Sequence, residues 1–188
     1  MLHRISSLIF ILSLGTIVFA QKAPERPKLV VGIIVDQMRQ EYLYRFYDKF
    51  GNGGFKRLMG DGFMLKNAHY NYTPTVTGPG HASVYTGSTP SIHGIIGNDY
   101  YDKKGKKYVN CVADSLQKPV GSEVGKGDIS PWRMLSSTVT DELELFTQKR
   151  SKVIGISSKD RGAVLPAGHG DHCRFGGNAA GCGGAVWD

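Results

Sequence analysis

From Leu29 to Val35 the chain reads Leu-Val-Val-Gly-Ile-Ile-Val, apolar at odd and even positions alike. A strand with one wet face alternates, so this run predicts a central parallel strand covered on both sides, with Asp36 at its carboxyl end. Beyond it, Tyr42, Leu43 and Phe46 recur at helical spacing, predicting a helix from Met38 to Phe50 that Gly51-Asn52-Gly53-Gly54 closes. Phe55 to Met59 predicts a short helical turn and Phe63 to Tyr70 a second strand. Thr73 to Gly80 is a loop rich in Thr, Pro and Gly. His81 to Thr86 suits the first turns of a helix, with Pro79 near its start. Tyr100 to Val109 predicts a hairpin turning at Lys103 to Lys106. Ser130-Pro131 predicts a helix, Ser as cap and Pro at the first position, burying Met134, Leu135, Val139, Leu143 and Phe146. Val153 to Ser157 predicts a short buried strand ending near Lys159.

Alternation of strand, helix and strand means an α/β sheet with crossover helices. Open sheets of this kind take ligands beyond the carboxyl ends of their strands. Asp36 and Lys159 both stand just past apolar runs, and Thr77 where a loop enters a helix. The pattern therefore brings three distant polar features to one rim.

Composition changes this picture little. The 188 residues are 40% hydrophobic and 21% charged, which excludes a collagen, a coiled coil or a disordered chain. The length predicts one domain or part of a larger one. The net charge of +7 would suit nucleic acid, an anionic membrane or a phosphate substrate. The basic residues are scattered, outside the Lys103–Lys107 cluster, and carry no nucleic-acid-binding signature, so no nucleic acid partner is predicted. Residues 1–20 read as a secretory signal: His3 and Arg4, an apolar run from Leu8 to Phe19, then Val18-Phe19-Ala20 before Gln21. The run is short for a bilayer, so no stable membrane span is expected once it is removed. Of three cysteines, Cys173 and Cys182 could pair. No CxxC spacing is present to form a cysteine zinc site.

Five residues carry the candidate chemistry. Asp36 is either a shielded carboxylate for a cation or a cap for the next helix. Thr77, flanked by glycine at a helix start, is either a nucleophile needing a base or metal to activate it or part of a Thr-rich turn. Asn98 either donates to an oxyanion or satisfies its own backbone. Lys159 and Arg161, two apart at a strand end, either meet one dianion together or make surface salt bridges.

Val35-Asp36-Gln37-Met38-Arg39, Thr77-Gly-Pro-Gly-His81, Pro90-Ser-Ile-His-Gly-Ile95 leading to Asn98, and Ser158-Lys-Asp-Arg161-Gly-Ala, in this order, resemble the alkaline phosphatase superfamily. The resemblance is to its phosphodiesterase-like branch, and there to the bacterial periplasmic PafA-type alkaline phosphatases, over about residues 28–167. It implies a partial alkaline-phosphatase-like α/β sandwich with a mostly parallel central sheet. It implies export to the periplasm or beyond, two zinc ions, and small phosphate esters as substrates. Asp36 and Thr77 would ligate zinc, Thr77 would attack phosphorus to form a phosphothreonine, and Asn98, Lys159 and Arg161 would hold the phosphoryl oxygens. The alternatives kept beside this monoesterase are a phosphodiesterase or nucleotide pyrophosphatase of the same superfamily, and a non-catalytic fragment.

The division expected is a signal at 1–20, the N-terminal part of the phosphatase-like domain at 21–167, and an atypical Gly-rich tail at 168–188. The family's further Asp and His ligands are expected downstream of this segment, so the chain alone should be an inactive fragment. His169, Asp171 and His172 lie outside that ligand context. The tail has no apolar period and is expected to lack regular structure and to pack poorly.

Overall fold

The computed structural model describes residues 27–117, 128–170, 173–176 and 179–182. The expected signal at 1–20 lies outside them. The chain divides into two units, Met1–Ile33 and Ile34–Asp188. In the first, the described residues form neither helix nor strand, and Leu29 is 79% exposed.

The second unit has the order helix α1 (Glu41–Arg45), a 3-10 turn (Tyr47–Lys49), α2 (Gly54–Asp61), α3 (Thr77–Thr86), α4 (Pro90–His93), strands β1 (Asp99–Asp102) and β2 (Lys107–Asn110), α5 (Val139–Phe146), β3 (Ile154–Ser157), α6 (Asp160–Ala167), β4 (Cys173–Gly176) and β5 (Ala179–Cys182). Among the described residues it is an α/β arrangement with two small sheets. β1 and β2 form an antiparallel hairpin, Tyr101 opposite Tyr108 with their rings edge to face. β3 pairs parallel with β4 across the α6 crossover, and β4 pairs antiparallel with β5. No helix among the described residues is long and apolar enough to cross a membrane.

The core lies between α3 and α6. Ala82, Ile95, Cys111, Val112, Met134, Val164 and Leu165 are buried together, with Tyr100 and Ile129 against them. α3 begins at Thr77 rather than His81, so Pro79 falls in its first turn, where a missing N–H costs nothing. It stops at Gly87, whose φ of 64° is the left-handed conformation of a helix C-terminus.

Several expectations fail. Residues 29–35 join no ladder. Apolarity on both faces makes a strand suitable for covering, but a strand also needs a neighbour's free N–H and C=O row, which apolarity does not specify. Phe63–Tyr70 is irregular as well. The helix expected from Met38 to Phe50 is broken into α1 and the 3-10 turn. No helix starts at Ser130: its hydroxyl donates to Asp114 at 2.5 Å, and the helix starts instead at Thr138. There Thr138 and Asp141 form a capping box. Of the face expected to be buried, only Met134 is recovered among the core; Leu135, Val139 and Phe146 are exposed. β3 stands where predicted but leaves Ile154 and Ile156 exposed rather than buried.

The tail is also corrected. β4 and β5 run through it, and Cys173 faces Cys182 in their register. Glycine removes the apolar period but not the backbone donors and acceptors a ladder uses. Ahead of them the Asp141 carboxylate accepts from the N–H of His169 at 2.6 Å and of Gly170 at 3.1 Å. These Asp141 bonds tie the start of the tail to α5, and His169 Nε2–H donates to the Met134 carbonyl, on the segment before α5, at 2.8 Å.

Candidate functional site

The site is assembled from three chain segments that end together. The first is the Val35–Met38 turn, closed by the Met38 N–H to the Val35 carbonyl. Gln37 takes φ 60° here, a left-handed conformation uncommon outside glycine and asparagine. That turn swings the chain away immediately after Asp36. Asp36 caps no helix; the residue before α1 is Gln40.

The second segment is the start of α3. Thr77 is its first residue and is 7% exposed. Its hydroxyl donates to Asp36 Oδ2 at 3.1 Å across 41 residues of sequence. One turn on, His81 is also buried and its Nδ1–H donates to the Thr77 carbonyl at 2.8 Å. The next residue, Gly78, sends its N–H to Asn98 Oδ1 at 2.7 Å. Asn98 therefore does not satisfy its own backbone: it stoppers an N–H at the head of the helix and keeps its NH2 end to donate. Gly78 is needed for that approach. A Cβ there would meet Cys111 Sγ at 3.1 Å and Asn98 Oδ1 at 3.2 Å.

The third segment is the junction of β3 and α6. Lys159 precedes α6, and its N–H reaches Ser157 Oγ at 3.2 Å. Its ammonium lies 2.7 Å from Asp36 Oδ2 and 3.4 Å from Thr77 Oγ1. The Lys159 hydrogen bond is the main reason the Asp36 carboxyl sits below its ordinary pKa; desolvation opposes it and the Thr77 bond assists. Asp36, Thr77 and Lys159 thus share one polar point, and Asn98 adjoins it through Gly78. Arg161 differs. Its Nη1 pairs with neighbouring Asp160 at 3.3 Å, and its Nε is buried with no hydrogen-bond partner. Its charge is felt by the Cys111 thiol, itself against Gly78 and Asn98. Burial dominates at that thiol and pushes its pKa up to about 12.

An oxygen pair such as Asp36 and Thr77 fits a divalent cation, since both atoms already turn to the Lys159 ammonium. It is half of the ligand set a tetrahedral zinc takes. No group of three metal-ligating side chains occurs among the described residues. The buried, unpaired Nε of Arg161 fits an anion.

Sequence reasoning passed over His81, Tyr72, Ser83 and His93. Their signal is positional: His81 and Ser83 follow Thr77 on α3, and His93 ends α4 between the glycine turn and the core.

Residues 30–154 match the family model described as type I phosphodiesterase / nucleotide pyrophosphatase. Alkaline phosphatase PafA of Elizabethkingia meningoseptica is 56% identical over 153 residues, 80% of this chain and 28% of the relative. Alkaline phosphatase PhoV of Synechococcus elongatus is 57% identical over 144 residues, 77% of this chain and 26% of the relative. The crystal structure of wild-type PafA superposes with a TM-score of 0.78 at 54% identity, over 81% of this chain and 30% of that one. A second PafA structure carries substitutions at a threonine, an asparagine, a lysine and an arginine. The chain spans under a third of the length of these relatives.

Proposed function

Since the chain belongs to the type I phosphodiesterase / nucleotide pyrophosphatase family, we propose that the full-length gene product is an exported phosphate monoester hydrolase with Thr77 as its nucleophile. The observation that carries this is the Thr77 hydroxyl, donating to Asp36 at the head of α3 with Lys159 on both. The four residue types altered together in the PafA variant recur here as Thr77, Asn98, Lys159 and Arg161, with the same spacing from threonine to asparagine and from lysine to arginine.

In this reading Thr77 Oγ1 attacks phosphorus, and the ester P–O bond breaks as the leaving oxygen departs with the bonding pair and takes up, on balance, the proton that the hydroxyl loses. Water then attacks the phosphothreonine, releasing inorganic phosphate and restoring the hydroxyl. The dipole of the α3 head favours the anion. Asn98 donates its NH2, Lys159 contributes a point charge and Arg161 a planar fork to the non-bridging oxygens. Asp36 and Thr77 would hold zinc, which when bound would lower the pKa of the hydroxyl and neutralise charge. A monoester dianion carries more charge on those oxygens than a diester monoanion, so two cations favour the monoester. The family model's name keeps the diesterase as the second reading.

The test is hydrolysis of an aryl phosphate against a diaryl phosphate by purified full-length protein, with metal content measured. Monoesterase should dominate, Thr77→Ala should remove most of it, and Lys159→Ala with Arg161→Ala should shift preference towards the diester. Diester turnover that exceeds monoester turnover in the unmodified protein would overturn the proposal.

A further inference from the structure

Behind the candidate site a hydrogen-bonded chain crosses three segments. The His93 ring is fully buried at the end of α4. Its Nδ1 accepts from the Ile95 N–H at 3.1 Å, so in the neutral ring the proton resides on Nε2. Burial keeps the ring neutral by lowering its pKa. Nε2–H donates to Ser83 Oγ on α3 at 2.9 Å. Tyr72, before α3, donates its hydroxyl proton to the Pro79 carbonyl at 3.0 Å. Its oxygen, 2.7 Å from Ser83, must therefore accept from the serine. Every proton is assigned and all run one way: His93 to Ser83 to Tyr72 to Pro79.

We propose that His93, Ser83 and Tyr72 are positioning residues, which fix the head of α3, and with it Thr77, against the segment that delivers Asn98. The proposal rests on the reading of Thr77 as nucleophile. Apolar side chains would fill the same space but would leave rotation and sliding between the pieces open. A directional chain specifies one arrangement. Its two ends are the elements that must agree. Pro79 is two residues from Thr77. His93 opens, through Gly94 at φ 78° and fully buried Ile95, into the turn that ends at Asn98. The Gly78 to Asn98 bond joins the same pieces on the other side, so the chain and that bond bracket the nucleophile.

The test uses full-length protein with an aryl phosphate. Tyr72→Phe and Ser83→Ala should each lower kcat about 10- to 100-fold while KM moves less than about threefold, since displacement costs the oriented step rather than binding. Ser83→Thr, which keeps the hydroxyl, should restore most of kcat. The double variant should be little worse than either single one, because both cut one chain. Hydrogen exchange at the Ile95 and Gly78 amides should rise in Ser83→Ala. Should Ser83→Ala fail to fold, Tyr72→Phe carries the same measurements. Unchanged kcat in a folded variant, a rise in KM alone, or no rescue by Thr would overturn the positioning role. If unmodified protein hydrolyses no monoester, the nucleophile reading fails by itself. The exchange measurement then decides the tie: unchanged protection at both amides in Ser83→Ala and Tyr72→Phe refutes it.

Discussion

Replacing Gly78 by alanine adds a single carbon at a crowded point of the site. That carbon would meet Cys111 Sγ at 3.1 Å, Asn98 Oδ1 at 3.2 Å and the Gly97 carbonyl at 3.3 Å. Overpacking of this kind costs about 1–3 kcal/mol. Alanine returns up to about 1 kcal/mol of helix propensity over glycine. The net loss of stability is then about 0–3 kcal/mol, at most roughly 10 degrees in thermal midpoint. Activity should suffer more. Of the three neighbours, the Asn98 side chain is the one that can swing away, and doing so stretches its bond to the Gly78 N–H. Complete loss of one oxyanion donor costs roughly 2.7–4 kcal/mol in barrier, so a partial displacement should lower kcat about 10- to 100-fold. The assay is a double-variant cycle on aryl phosphate hydrolysis, with melting curves alongside. In an Asn98→Ala background the Gly78→Ala loss should shrink to under about threefold, since the displaced group is gone. Independent multiplication of the two losses would refute the argument that Gly78 acts through Asn98.

Other expectations are quicker to check. The Cys111 thiol, raised from 9.0 to about 12, favours the neutral form when folded. Its contribution is complete below pH 9 and is lost as pH climbs towards about 12, at no more than about 1.4 kcal/mol per pH unit. Cys111→Ala should flatten that alkaline decline in denaturant midpoints, and an unchanged slope would discount the thiol. Thr138→Ala should cost about 1 kcal/mol as a lost cap. Asp141→Ala should cost more, about 2 kcal/mol or above, because it strips partners from the Thr138, His169 and Gly170 amides together. Melting curves that rank the two the other way would show that the tail does not lean on Asp141.

What could be read in advance was local. The Lys-rich turn between Tyr100 and Val109 carries its own geometry and formed where expected. The positions of Asp36, Thr77 and Lys159 past apolar runs or at a loop-to-helix junction were enough to bring them together. What failed depended on partners far along the chain. The Leu29–Val35 run states a need for cover and a paired edge without saying who supplies either. Ser130 looked like a cap until Asp114 took its hydroxyl, a competition settled sixteen residues away. The tail was misjudged because side-chain period was used to judge a ladder that only backbone atoms build. His93 was legible as a motif letter, and its partners were legible only in three dimensions.

The hairpin has a consequence for how this protein can vary. β1 starts on the residue after Asn98, and the Cys111 N–H closes onto the Asn98 carbonyl at 2.9 Å. The base of the hairpin is therefore clamped to the site, while its tip at Lys103–Lys106 turns in open solvent. Lengthening the tip leaves the pairing of Asp99 with Asn110 untouched, whereas slipping one strand by a single residue would drag Asn98 off the α3 head. Over evolutionary time the tip is free to drift in sequence and in length, and selection acts on the register below it.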